Sequence, residues 1–198
     1  MARAGLTRAR VVTAGAQLAD QAGFEAVSLT TLAKQLGIKV ASLYAHIESA
    51  HDLKTQIALL ALDQIADQAT NSIAGRSGKD ALVALANVHR DFAGAHPGLF
   101  AASRYGLDPA VAADSGGVRL AQMMRAVLRG YALSDADQTH AIRLLGSVFL
   151  GFTTLELAGS FSHSAPDAQV SWARALDALD AILRSWPTAA PPQNGDAS

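Results

Sequence analysis

The chain predicts an all-α fold of about nine helices, and three features carry that reading. Alanine, the strongest helix former, supplies much of an apolar fraction of 50%, while aromatic residues reach only 6%. Apolar residues recur at three- and four-residue steps through most of the chain. No segment alternates in period two with β-branched residues for long enough to require a strand. At 198 residues the chain can form one domain, or a small head joined to a larger body.

The first six residues read as a short, disordered basic arm containing Arg3. Thr7 is placed to cap a first helix to about Ala22, with Val11, Val12, Leu18 and Ala19 inward. Gly15 weakens this helix by about 1 kcal/mol unless another helix packs close to it. Gly23 is expected to end it as a left-handed cap, with Phe24 folding back as an anchor. Ser28 caps a second helix, Leu29 to Leu36, which buries Leu29, Leu32, Ala33 and Leu36. Gly37 supplies a positive-φ turn and Ile38 a core plug. A third helix runs from about Val40 to Ile47, with Leu43 and Ile47 as its inward pair. The fourth starts near His51 and runs to about Asn71, with Leu53, Ile57, Leu60 and Ile65 on one face.

Ser72 to Gly78 breaks the pattern and reads as a seam. A fifth helix spans about Lys79 to Ala95. His96-Pro97-Gly98 stops it and restarts a short sixth, Leu99 to Tyr105. The seventh follows Pro109, ends near Gly130, and is interrupted or bent at Gly116-Gly117. Ser134 caps an eighth helix to about Ser160, with no capping-box partner close enough to assign. The ninth carries Trp172, Leu176, Leu179, Leu183 and Trp186, and Pro187 ends it. The tail from 188 is Pro-rich, polar and expected to be disordered. The segments so predicted are a head at 1–50, a connecting helix at 51–71, a body at 72–187, and the tail at 188–198.

Charge is informative mainly by its distribution. The net charge is −1. Residues 1–58 hold six basic side chains (Arg3, Arg8, Arg10, Lys34, Lys39, Lys54) against four acids (Asp20, Glu25, Glu48, Asp52), a local charge of +2. A basic end on an acidic body fits a nucleic-acid-binding head. The chain has no cysteine, which excludes disulfides and thiolate metal sites. The N-terminus has no apolar segment of the signal-peptide kind. The longest apolar run, Leu144 to Leu155, is too short for a membrane span of ~20 residues. A cytoplasmic protein with no cofactor and no metal is the expectation.

Ser28 to Ile47 is the stretch that points to function. Two short helices joined by a tight glycine turn can seat the second helix in the major groove of DNA. Lys39, Val40, Ala41 and Ser42 form the first turn of that helix, the part that faces base edges. Ser42 can bond several bases, and Val40 and Ala41 can touch a thymine methyl. Tyr44 and His46 lie opposite Leu43 and Ile47 and offer donors to phosphate. Thr30 and Thr31 open the preceding helix, where hydroxyls and free N–H groups can hold a phosphate.

Residues 7–65 resemble the DNA-binding domain of the TetR family of transcriptional regulators. The resemblance rests on Gly23-Phe24-Glu25-Ala26-Val27-Ser28-Leu29, Leu32-Ala33, Leu36-Gly37-Ile38, Ser42-Leu43-Tyr44, His46 and Leu53. Beyond the head, His96-Pro97-Gly98-Leu99-Phe100 and the helix containing Trp172 resemble the subgroup known by a Trp-His-Gly motif. The resemblance implies a helical dimer that binds a palindromic double-stranded operator, usually as a repressor, and is released by a small-molecule inducer. Two positions depart from the pattern. Lys39 stands where the family commonly has a capping Ser or Thr. Ala50 stands where it often has a Lys, and Lys54, one turn later, is the candidate to replace that phosphate contact.

In the body, His89, Phe92, His96, Phe100, Tyr105, Met123, Val127, Phe149 and Phe152, with Met124 and Thr153 beside them, are the candidate lining of a ligand pocket. The stripes of the last two helices predict a homodimer through a four-helix interface, with Leu145, Phe149, Trp172, Leu176, Leu179 and Leu183 in contact and Gly146 and Gly151 allowing close approach. No nucleophile–base constellation or phosphate-cradling glycine loop supports an enzyme. A helical DNA-binding regulator controlled by a protein partner is the alternative.

Overall fold

The computed structural model describes residues 5–187, so the expectations for residues 1–4 and for the tail at 188–198 lie outside the described residues. Among the described residues there are nine α-helices and no strand. They are α1 (Arg8–Ala22), α2 (Leu29–Leu36), α3 (Ala50–Ile73), α4 (Gly78–Ala95), α5 (Pro97–Ala102), α6 (Pro109–Ala113), α7 (Gly116–Leu128), α8 (Asp135–Leu157) and α9 (Ala168–Arg184).

Caps set most of the boundaries. Thr7 Oγ1 accepts the Arg10 N–H at 3.2 Å and starts α1. Close packing of α3 accounts for Gly15, since a Cβ there would stand 2.8 Å from Ile57 Cδ1. Gly23 ends α1 with φ 87° and ψ 148°, outside the left-handed helical region expected for it. Its N–H still bonds Ala19 O at 2.8 Å, and the extended exit lets Phe24–Ala26 make one 3₁₀ turn that buries Phe24. Before α2, Ser28 Oγ takes the Thr31 N–H and Thr31 Oγ1 takes the Ser28 N–H, a reciprocal capping box. Gly37 then turns the chain at φ 65°, ψ 33°, a left-handed conformation that a side chain disfavours. Leu36 and Ile38 are only partly buried.

The third predicted helix is not a regular α-helix. Val40–Ser42 form a 3₁₀ turn and the next four residues are turns. Lys39 supplies no side-chain cap, and the first donors are met by tight bonds of Ser42 N–H to Lys39 O and Leu43 N–H to Val40 O, both at 2.9 Å. Leu43 and Ile47 are nonetheless fully buried, as their i, i+4 spacing predicts.

Helix α3 carries Leu53, Ile57, Ala61, Ile65 and Ala69 buried at strict four-residue steps, so a single face runs from the head into the body. Leu60 is only partly buried. Its far end packs on α4 and α7. At the start of α5, a Cβ on Gly98 would lie 2.0 Å from the Ala19 carbonyl oxygen, so α5 meets the end of α1 backbone to backbone. Asp20 closes this contact, accepting the Leu99 N–H at 2.9 Å and bonding His96 Nδ1 at 2.8 Å. The predicted bend in the seventh helix is a true break. Helix α6 ends at Ala113, and Ser115 caps α7 by accepting the Gly117 N–H. At α8, Ser134 accepts the Asp137 N–H and bonds its carboxylate at 2.6 Å, so a cap partner three residues on does exist.

The six residues expected at a dimer interface are instead inside the protomer. Leu145, Phe149, Trp172, Leu176, Leu179 and Leu183 are all 4% exposed or less. They face α4, and Trp172 Nε1 donates to Asn87 Oδ1 at 2.8 Å. The apolar residues that α8 and α9 leave exposed are a different set, Leu150, Leu155 and Leu157 with Val170 and Ile182.

The expected ligand-pocket residues do not gather round one cavity. Phe92, Phe100, Val127 and Phe149 are core residues. His89 bonds Leu85 O at 2.9 Å with its ring against Phe149, and burial pushes its pKa below the ordinary histidine value. His96 is engaged with Asp20, Tyr105 Oη with His51 Nδ1 at 2.9 Å, and the Met123 sulfur with Thr70. Phe152 meets the rings of Phe161 and Trp172 in tilted contacts. A Phe/Met stripe at helical spacing has simply packed as core. Among the described residues no helix is long and apolar enough to cross a membrane, and no group of three acidic or histidine side chains is placed to hold a metal ion.

Candidate nucleic-acid interface

The two buried anchors of the Lys39–Ile47 segment, Leu43 and Ile47, decide which way its other side chains point. With these two turned into the head, Lys39, Ala41, Ser42 and Tyr44 stand in solvent, and Val40 and His46 are half-buried. Tyr44 is 58% exposed, far above what an aromatic ring takes up when it merely braces a core. Thr30 is also exposed, and its hydroxyl makes no bond to the protein among the described residues. Thr31 differs. Its hydroxyl bonds Ser28 and the Ala26 carbonyl, so it is committed to the cap and not to a phosphate.

The segment is held from behind by a network that sequence reasoning missed. Arg8 donates to the His46 carbonyl at 3.2 Å and pairs with Asp52 at 2.7 Å. The other carboxylate oxygen of Asp52 accepts the Glu48 N–H at 3.0 Å, and Ser49 Oγ accepts the Asp52 N–H at 3.0 Å. One arginine thus ties the start of α1 to the end of the recognition segment and to the first turn of α3. The Ser49-x-x-Asp52 spacing was the available signal, since an acid three residues after a capping serine marks a helix start. The Arg8 guanidinium, one of the six basic groups of residues 1–58, is thus occupied within the head.

Lys54 also departs from expectation. Its ammonium pairs with Glu25 at 3.0 Å and sits 5.0 Å from the centre of the Phe24 ring, and its side chain is only 19% exposed. It faces the α1–α2 turn and does not stand in for a phosphate contact at the start of α3. Lys34 and Lys39 are exposed and make no ion pair with the described residues. The exposed surface therefore offers a cation at Lys39, hydroxyls at Ser42, Tyr44 and Thr30, and a methyl at Ala41. Donors and a point charge suit phosphate oxygens, while a short hydroxyl and a methyl suit base edges.

A tight 3₁₀ segment on two buried anchors, ahead of a long helix that runs into an all-α body, is the arrangement of a helix-turn-helix DNA-binding head. Comparison with known proteins agrees. Residues 82–179 match the tetracyclin repressor-like C-terminal domain family. The chain is 34% identical over 162 residues to the uncharacterized HTH-type transcriptional regulator YobS of Bacillus subtilis, covering 81% of this chain and 84% of that protein. Among solved structures, it resembles BioQ with its double-stranded DNA operator (TM-score 0.61, 23% identity, 89% of this chain and 99% of that one). It also resembles the Streptomyces coelicolor TetR family protein ActR in complex with (S)-DNPA (TM-score 0.67, 19% identity, 93% of this chain and 99% of that one). The chain belongs to the TetR family of transcriptional regulators.

Proposed function

We infer that this regulator is a repressor that binds a palindromic operator as a homodimer and leaves it when a small molecule binds the body. The reading is carried by one observation, the unbonded face of Lys39, Ser42 and Tyr44 presented by buried Leu43 and Ile47. BioQ with its operator and ActR with (S)-DNPA supply the parallels for DNA and for a small ligand. In this reading residues 1–50 are the DNA-binding head, 51–71 the connecting helix, and 72–187 the ligand-binding and dimerisation body. Thr30, Lys39 and Tyr44 hold phosphates, and Val40, Ala41 and Ser42 meet base edges, with His46 at the margin.

The dimer face in this proposal is the outer side of α8 and α9. Leu150, Leu157 and Ile182 are exposed there, and a Cβ on Gly146 or Gly151 would touch nothing within 4 Å. Exposed apolar side chains on two neighbouring helices suit burial against a second copy. The filled core gives some weight to control by a protein partner, which would use the same surface. Mass measurement by light scattering separates the two, since a dimer of the purified chain accounts for the exposed face.

The DNA reading is tested by selecting bound duplexes from a random pool and measuring affinity for the winner. The selected sequence should be palindromic, with half-site centres about one helical turn apart or a multiple of it. Tyr44→Ala should weaken binding about tenfold or more, a loss of about 1.4 kcal/mol. Its dimer mass and melting temperature should not change. Wild-type affinity in this variant would remove Tyr44 from the interface.

A further inference from the structure

We propose that Tyr105 is a positioning residue for operator binding. It acts as a strut from the body that holds the head end of α3, and so fixes the angle at which the recognition segment is presented. Spacing in the sequence groups Tyr105 with pocket residues, but it stands just beyond α5, where the body meets the head. The proposal deepens the DNA-binding reading of residues 39–47 and rests on it.

Tyr105 reaches both elements that flank the recognition segment. Its hydroxyl shares a hydrogen bond of 2.9 Å with Nδ1 of His51, in the first turn of α3. Its ring meets Phe24 edge to face, with centroids 5.6 Å apart, and so rests on the 3₁₀ turn between α1 and α2. Beside His51, Asp52 accepts the Glu48 N–H and pairs with Arg8, which in turn donates to the His46 carbonyl. A position held at His51 is therefore passed through Asp52 and Arg8 to the last residues of the recognition segment.

The way α3 is supported gives this contact its leverage. The body grips α3 from Leu62 onward. A Cβ on Gly116 of α7 would lie 2.5 Å from the Leu62 carbonyl, and Arg119 of α7 pairs with Asp63 and Asp67. The earlier turns run out to the head like a beam fixed at one end. A helix curves gently under load, and curvature displaces the free end most, which is where His51 lies. The body also meets the head at the end of α1, where Asp20 accepts the Leu99 N–H at 2.9 Å and Gly98 faces the Ala19 carbonyl. One such point leaves the head free to turn about it. Tyr105 adds a second point on a different helix, from the same short stretch of the body, 97–105. His51 is exposed, and its ring makes no other hydrogen bond among the described residues, so loss of this bond leaves the core intact.

The test uses the full-length protein and the duplex selected from the random pool. Tyr105→Phe keeps the ring on Phe24 and removes only the hydroxyl, while His51→Ala removes its partner. Each should weaken operator binding threefold or more at an unchanged melting temperature, and the double variant should be no weaker than the single ones. A positioning role has a second signature. Duplexes whose half-sites are one base pair closer or farther apart should lose less affinity in the variants than in the wild type, because a head no longer held at one angle is less selective for spacing. Head position can also be read without DNA. The chain has no cysteine, so spin labels at Gln35→Cys in α2 and Gln122→Cys in α7, both exposed positions, report one head–body distance when diluted into unlabelled protein. Tyr105→Phe should broaden or shift that distance. Wild-type affinity in Tyr105→Phe, additive losses in the double variant, or an unchanged label distance would overturn the proposal. So would an unchanged spacing preference with a lower salt slope in His51→Ala, which would make His51 itself a phosphate contact. Failure of the wild type to bind any palindrome would count against the repressor reading alone, and the label distance then decides the strut by itself.

Discussion

The head and the body both bridge their helices with charged pairs, but only the head keeps a row of polar side chains facing outward from one short segment. In the head, hydroxyls and carboxylates near helix starts are bonded to backbone, as with Thr7, Ser28, Thr31, Ser49 and Asp52. The face made by Lys39, Ser42 and Tyr44 is left without internal bonds. In the body, charged groups bridge helices. Arg90 and Glu156 join α4 to α8, Arg119 joins α7 to Asp63 and Asp67 of α3, and buried Tyr131 donates to Asp180, which also holds Arg184. A recognition surface is thus marked by what the fold leaves unbonded and exposed.

The contrast can be broken at several points. The largest effect is expected at the junction. Gly98→Val would drive a side chain into the Ala19 carbonyl and should destabilise the fold by more than about 3 kcal/mol. Thermal unfolding of the purified variant checks this, and a wild-type melting temperature would show that the junction yields. Next is the outer face of α8, where Leu150→Glu should leave the fold intact but produce monomers in light scattering.

Arg8→Ala should come third, since it releases the network behind the recognition segment. A loss of about 1–2 kcal/mol in stability is expected, together with weaker DNA binding, whereas Lys39→Ala should weaken DNA binding without touching stability. Lys39→Ala should also lower the slope of log affinity against log salt by about 1, and an unchanged slope would place Lys39 away from the phosphates.

The smallest effect is a pH dependence. Burial lowers the His89 pKa, so the unfolded chain binds a proton that the folded chain refuses. That contribution is full-strength above the unfolded value and is lost as pH falls below about 6.5. Denaturant unfolding at pH 7 and pH 5.5 should show the drop, and His89→Leu should make it smaller. The Glu156 carboxyl, held low by Arg90, adds an acid-side loss of the same sign at lower pH.

Helix positions were largely legible in the sequence because caps and glycine stops are local chemistry. Thr7, Ser28, Gly37 and Ser134 all stand at the boundaries their side chains imply. The direction of burial was legible too, since Leu43, Ile47, Trp172 and Leu176 all turn inward. What the inward face meets was not. A stripe on α8 or α9 is the same in sequence whether it packs on α4 of its own chain or on a second copy. Phe92 and Phe149 read as pocket walls for a similar reason, because spacing reports a face and not whether the space beyond it is filled. Long-range ionic partners such as Arg8–Asp52 and Lys54–Glu25 leave no trace in any local pattern, so Lys54 reads as a phosphate contact although the fold uses it internally.

Helix α3 has a mechanical consequence. Its 24 residues form a rod of about 36 Å, buried in the head at Leu53 and in the body at Ala69. A rod of that length is a lever whose two ends cannot be adjusted separately. A tilt of about 5° at the body end carries the head end through about 3 Å, close to the 3.4 Å rise of one base pair along a strand. Small rearrangements where α3 packs on α4 and α7 are therefore large enough, by geometry alone, to move the recognition segment by about one base step.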